Sequence, residues 1–107
     1  MNFIEIDRND GGSFPITVTE DDVAVDLSVM DLEGSIEWHG GSMTCTIANG
    51  RLAENDTTPL TGGVVDLVIS DADAEAISVS KLPFFTLRDV TEGTEQTIIE
   101  RIALRLL

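Results

Sequence analysis

Residue types that point to a specific chemistry are scarce in this sequence. Its 107 residues contain one cysteine, one histidine, no tyrosine and only 6 basic residues against 20 acidic ones. One cysteine cannot form an internal disulfide, and one histidine with one cysteine would leave a structural zinc site to several carboxylates. No apolar run approaches the ~20 residues that cross a bilayer, and the first residues lack the features of a signal peptide. We therefore expect no membrane span, no leader and no cofactor.

The formal net charge of −14 excludes two classes of partner. A surface this acidic repels the phosphates of nucleic acids and of anionic membranes, which proteins bind through lysine and arginine. The charge is also uneven, because residues 1–80 carry all of the −14 and residues 81–107 sum to zero. The neutral segment is a candidate contact surface, although the more ordinary interpretation is chance placement of solvated charges.

Apolar residues recur mainly at every second position, which is typical of strands that place one face in a core. The runs with this alternation are residues 14–18, 23–27, 36–38, 43–47 and 65–69. Segments rich in glycine, asparagine and aspartate separate most of them at intervals of roughly 8–12 residues. The pattern predicts an all-β chain in which residues 1–107 form a single antiparallel β-sandwich of seven to eight strands.

Three segments are harder to assign. A cap residue followed by acids predicts one short helical turn near residues 71–77. Residues 51–61 fit a loop that follows a tight reversal. Residues 94–107 fit both a helix and a strand, and the strand is preferred because residues 82–89 need a closing partner in the sandwich.

The residues most able to carry chemistry all have ordinary structural interpretations. His39 follows Glu37 on the outer face of a strand, and no nucleophile-elbow motif accompanies it, so a catalytic triad and an enzyme are not predicted. Cys45 belongs to a core face and is predicted to be a small buried hydrophobe. Trp38 shares the face of Ile36, which predicts a core tryptophan, with sugar stacking as the alternative.

Three motifs follow one another in an order that is informative. Leu32-Glu33-Gly34-Ser35-Ile36-Glu37-Trp38 leads into a strand, residues 67–72 form an acidic turn, and residues 84–87 form an aromatic strand. In this order they resemble the small immunoglobulin-like sandwich domains of tailed-bacteriophage virion proteins, over residues 14–105. The first motif is one residue shorter than the family spacing, and the aromatic strand lacks tyrosine.

The resemblance implies a non-enzymatic structural protein of the virus particle. Such a protein docks on capsid, neck, tail or baseplate proteins, or on copies of itself, as a capsid decoration or as an attachment module. The segment near residues 82–88 is apolar on both faces, so one of its two phenylalanines needs cover outside the core. The predicted interface is a strip of apolar residues: Pro83, Phe84, Phe85, Ile99, Leu106 and Leu107.

The alternative function is a carbohydrate- or cell-surface-binding module with calcium-ordered acidic loops. Oxygen donors of the kind that calcium prefers cluster in two turns, at Asp7, Asn9, Asp10, Asp21 and Asp22. Residues 7–18 do not fit the EF-hand pattern, and exposed acidic turns are more common than metal sites. No metal is therefore assigned.

Overall fold

A computed structural model describes the backbone of residues 3–6, 11–78, 83–93 and 95–106. Most of these residues lie in strands, which confirms the all-β prediction. The strands are β1 Phe3–Ile6, β2 Gly12–Thr17, β3 Thr19–Glu20, β4 Val23–Ala24, β5 Leu32–Trp38, β6 Gly41–Thr46, β7 Leu52–Glu54, β8 Val64–Ile69, β9 Phe84–Asp89 and β10 Gln96–Leu106. The helix α1, Asp71–Ser78, separates β8 from β9, and a 3₁₀ turn spans Leu60–Gly62.

The strands form two main sheets and one hairpin. The first sheet has the order β1-β10-β9-β5-β6, and the second has the order β2-β8-β7. In the first sheet β1 runs parallel to β10, with Phe3 opposite Ala103. All other neighbouring strands of this sheet are antiparallel. The second sheet is antiparallel throughout, and β3 pairs only with β4.

Side chains from both sheets form one buried cluster. Ile36, Phe85 and Leu87 come from the first sheet, Val65 and Leu67 come from the second, and all five are fully buried. They occupy alternate positions on their strands, as residues that share one face of a pleated strand must. The predicted core faces of residues 14–18, 36–38 and 65–69 are thereby confirmed, with Phe14 and Trp38 partly buried against the cluster.

Two predicted runs end earlier than their alternation suggested. Residues 23–27 leave the ladder after Ala24, because β4 pairs only with the two residues of β3. Val23 in this hairpin is 66% exposed, whereas Leu27 beyond it is fully buried and donates its amide hydrogen to the carbonyl of Leu60. In the same way β6 ends at Thr46, and Ile47 lies in a turn with 48% of its surface exposed.

The three ambiguous segments are resolved. Residues 51–61 are not wholly a loop, because β7 within them pairs with β8 and buries Leu52 against the core. Residues 94–107 form a strand where they are described, and β10 pairs with β9 through two register shifts. The predicted helical turn is α1, whose start is capped by Ser70: its hydroxyl oxygen accepts the amide hydrogen of Asp73 at 3.1 Å.

Candidate interaction surface

Loops that are distant in sequence meet at one end of the molecule. They are residues 18–31, which include β3 and β4, residues 55–63, and residues 90–93 together with Glu95. Val18 donates its amide hydrogen to the carbonyl of Gly63 at 2.7 Å, which joins the first loop to the second. Val90 donates to the carbonyl of Asp31 at 2.8 Å, which joins the third loop to the first. We call this region the acidic end, because each of these loops contains exposed acids.

The acidic end carries negative charge and no positive charge of its own. Residues 18–31 contribute five acids, residues 55–63 one and residues 90–95 two, and the sequence of these segments contains no lysine or arginine. All eight acidic residues are exposed. Asp21 and Asp22 form the turn of the β3–β4 hairpin with φ angles of 52° and 64°. Eight exposed acids therefore lie in the loops of the acidic end.

A glycine allows the first two loops to approach each other closely. Gly63 has a φ of 82°, a left-handed conformation that residues with a Cβ rarely adopt. A Cβ at this position would lie 2.7 Å from the carbonyl oxygen of Val18 and 3.2 Å from the Cβ of Ala24. The contact between the loops thus requires glycine at position 63.

A carboxylate fixes the third loop. Asp89, the last residue of β9, is 5% exposed, and its Oδ1 accepts the amide hydrogen of Thr91 at 2.9 Å and the Thr91 hydroxyl hydrogen. The amide of Asp31 donates to the Thr91 hydroxyl oxygen at 3.0 Å. The Thr91 hydroxyl and amide hold the pKa of Asp89 below its usual value because they stabilise the charged form. The ends of β5 and β9 are thereby tied together.

A groove of about 210 Å³ opens at the acidic end, between the first loop and the start of β10. Val18, Val25, Met30 and Ile98 provide its apolar surface, and all four pack on or belong to the core. Its polar rim comprises Thr19, Glu20, Gln96 and Thr97. Val29, beside Met30, is 75% exposed, and Val23, opposite Glu20 in the hairpin, is 66% exposed.

The structure corrects the predicted interface strip. Pro83 and Phe85 are fully buried, because Phe85 faces the core from a strand that has β10 on one side and β5 on the other. Neither residue is on a surface that a partner can reach. Phe84 points to the other face of β9 and is half-buried. Of the remaining members, Ile99 and Leu106 belong to β10, and Leu107 lies outside the described residues.

The candidate calcium ligands are not brought together where they are described. Asp7, Asn9 and Asp10 lie outside the described residues. Asp21 and Asp22 are exposed neighbours in a hairpin turn, and no group of three or more His, Cys, Asp or Glu that could hold a metal occurs among the residues the structure describes.

Cys45 and His39 lie in different surroundings. Cys45 is fully buried on β6, and burial raises the pKa of its thiol to about 11, so the thiol is protonated near neutral pH. His39 is exposed in the turn between β5 and β6. The tryptophan next to it, Trp38, packs on Gly41, where a Cβ would lie 2.9 Å from the indole ring.

A second, shallower groove of about 320 Å³ lies at Arg51 and Asp73. The guanidinium group of Arg51 donates to both carboxylate oxygens of Asp73, at 3.0 and 3.1 Å, and to the carbonyl of Thr44 at 3.2 Å. The hydrogen bonds from Arg51 lower the pKa of Asp73. The pair links the turn after β6 to α1. Because the two charges neutralise each other, it presents little net charge to a ligand.

The sequence did not identify the acidic end or its groove. The signal that was available is the absence of basic residues between Arg8 and Arg51 and again between Arg51 and Lys81. That signal marks the acidic segments. It does not reveal that residues 18–31, 55–63 and 90–93 lie side by side, which depends on the strand order.

Comparisons with known proteins gave no relative. No family model matches the chain, and no curated protein or solved structure matches it significantly. Within the described ranges, no helix is long and apolar enough to cross a membrane. Function is therefore inferred from the strand order and from the surface of this chain itself.

Proposed function

We propose that the chain is an immunoglobulin-like β-sandwich that acts as a non-enzymatic interaction domain in the particle of a tailed bacteriophage. The observation that carries the proposal is the strand order. In immunoglobulin-type sandwiches the second, fifth and fourth strands share one sheet, and the third, sixth and seventh strands share the other. In this chain β2, β8 and β7 take the places of the second, fifth and fourth strands. In the other sheet β10, β9 and β5 take the places of the seventh, sixth and third strands, and β6 takes the place of the extra strand of variable-type domains.

The motifs that resemble those of phage domains fall on the elements that the resemblance requires. The first motif, Leu32–Trp38, is β5. Residues 67–72 close β8 and open α1, and the aromatic strand is β9, with Phe85 in the core. These placements support the family resemblance.

Docking is the activity that suits this arrangement. Loops held on a rigid sheet scaffold are where binding residues usually lie, and here three loops are joined by backbone hydrogen bonds at one end. A stable interface buries about 800 Å² on each partner, so a single face of a surface of 6424 Å² suffices. We propose a role as a capsid decoration or as a tail or baseplate attachment module.

Mass spectrometry of gradient-purified particles tests this role. Particles are prepared from cells that carry the gene for this chain, and peptides are quantified across the gradient. The chain should sediment with the capsid and tail proteins in a fixed ratio, while host cytoplasmic proteins stay at the top. Recovery of the chain only in the soluble fractions would refute the proposal.

A further inference from the structure

We infer that the groove at the acidic end binds a basic segment of a partner protein, which inserts one large apolar side chain between positively charged residues. The inference rests on the proposed role as an interaction domain and adds the docking surface and the chemistry of the partner. The structure provides three features for it: a groove of suitable size with apolar side chains in its lining, an acidic hairpin beside that groove, and loops held in place before any partner arrives.

The groove has room for one large side chain. A cavity of about 150 Å³ is enough to hold a benzene ring, and this groove measures about 210 Å³. Val25, Met30 and Ile98 present apolar surface to it while packing on the core behind. Methionine adapts its shape to different apolar partners, which suits a docking groove. Val23, which pairs with the rim residue Glu20, and Val29, which precedes Met30, are also exposed.

The charge around the groove selects the sign of the partner. Glu20 lies on the rim, and Asp21 and Asp22 follow it in the exposed hairpin turn. Arg88 lies opposite the rim residue Thr97 in the sheet, with Glu33 on its other side, so the three acids of the hairpin outnumber this one cation beside the groove. Complementary charge accelerates and orients docking. A basic partner segment is therefore favoured, whereas a second copy of this chain would bring a like-charged acidic end against the first.

The surface is also arranged in advance of binding. Asn55 uses its side-chain oxygen to accept the amide hydrogens of Thr57 and Thr58, each at 3.0 Å, and so orders the second loop. Hydrogen bonds from Val18 to Gly63 and from Val90 to Asp31 then hold the three loops together. Little conformational entropy remains to be lost when a partner docks, which improves affinity.

Two peptides of equal length and charge test the inference by isothermal titration calorimetry with the full chain. Both are rich in lysine, and they differ only at the centre, where one has leucine and the other serine. We expect the leucine peptide to bind about tenfold more tightly, which corresponds to about 1.4 kcal/mol. Its binding should weaken as salt is added, and it should shift the NMR signals of Val25, Met30 and Thr97.

Variants separate the groove from the charge. Met30→Gln and the nearly isosteric Val25→Thr should each reduce the preference for leucine several-fold, with circular dichroism verifying the fold. Glu20→Gln should weaken both peptides equally. Glu37→Gln is the control: it makes the same charge change near the last residue of β5, at the end of that strand away from the groove, and should have a smaller effect on either peptide.

Four results would overturn the inference, and three of them come from the peptide titrations: equal affinity for the two peptides, a leucine preference that survives in both groove variants, or equal losses with Glu20→Gln and Glu37→Gln. Self-association of the chain that Met30→Gln abolishes would overturn it in favour of a second copy as the occupant. The outcome is independent of the particle experiment. Chain that sediments with particles but shows no leucine preference refutes only the docking site, and the reverse result refutes only the virion role.

Discussion

Arg51 and Asp73 form a two-pronged ion pair between the turn after β6 and the first turn of α1, with nitrogen–oxygen distances of 3.0 and 3.1 Å. The side chain of Arg51 is 35% exposed and that of Asp73 is 15% exposed. The carboxylate also lies near the start of a helix, where negative charge is favourable. The pair therefore fastens α1 to the edge of the first sheet.

Asp73→Asn should lower the free energy of unfolding by roughly 1 kcal/mol, which is the upper end of the range for exposed ion pairs. The substitution removes a negative charge that both pairs with Arg51 and lies near the start of a helix. Urea denaturation measures the change. Glu37→Gln, which alters an exposed acid on β5, is the control and should leave the midpoint nearly unchanged. Equal effects of the two substitutions would show that the ion pair contributes nothing specific.

Stability should fall in acid below pH about 4. The pKa of Asp73 is lowered by its hydrogen bonds from Arg51, and that of Asp89 by its hydrogen bonds from Thr91. As the pH falls through this range the unfolded chain takes up protons before the folded chain does, so the stability that both carboxylates provide is lost. Urea midpoints measured from pH 7 downward should decline, and Asp89→Asn should flatten the decline. An unchanged profile in the variant would contradict the prediction.

Cys45 should resist thiol reagents in the folded protein. Its side chain is fully buried, and burial raises its pKa to about 11, so at pH 8 it is a protonated thiol without access to solvent. Reaction with an aromatic disulfide should therefore follow the unfolding transition in urea. Because the pKa is raised in the folded state, stability should also decline as the pH rises from about 9 towards 11. Rapid labelling in native buffer would contradict the assignment of Cys45 to the core.

Alternation along the strands predicted β2, β5, β6 and β8 because each of them has one buried face. It missed β7, since Leu52 is the single fully buried residue of that short strand and leaves no period to detect. It also placed Pro83 and Phe85 on an interface. An apolar segment suggests that both faces are covered. Here Phe85 is covered by the core between the two sheets, and β9 is an interior strand flanked by β10 and β5, which only the strand order reveals.

The candidate surface was less predictable than the fold for the same reason. Acidic loops were visible in the sequence, yet the groove is made by Val25 and Met30 of one loop and Ile98 of a distant strand. Among the members of the predicted strip whose side chains the structure describes, Phe84 is the one that a partner could contact. Its neighbours across the sheet are Glu37 and Ala103, towards the end opposite to the groove.

Gly63→Ala should destabilise the protein more than Gly50→Ala. Both glycines have a φ of 82°, so each substitution costs roughly 1–2 kcal/mol of backbone strain. A Cβ at Gly63 would in addition lie 2.7 Å from the Val18 carbonyl oxygen, whereas nothing lies within 4 Å at Gly50. Thermal unfolding of the matched pair isolates the close approach of the two loops. Equal losses would show that the contact between Val18 and Gly63 is not tight.

The turn of the β3–β4 hairpin should show opposite effects on stability and on docking. Asp21 and Asp22 both have left-handed backbones, and asparagine followed by glycine is the preferred pair for such a turn. The double substitution Asp21→Asn with Asp22→Gly should therefore raise the free energy of unfolding by about 0.5–1 kcal/mol. Glycine relieves the backbone strain of the left-handed conformation, and part of that gain is offset because glycine adds conformational entropy to the unfolded chain. It also removes two negative charges beside the groove, so the lysine-rich peptides should bind more weakly. A gain in stability together with a loss of binding is expected where a surface is kept for function rather than for folding. Unfolding and titration on the same preparation measure both, and a stabilised variant that binds as tightly as the parent would show that these two acids do not contribute to docking.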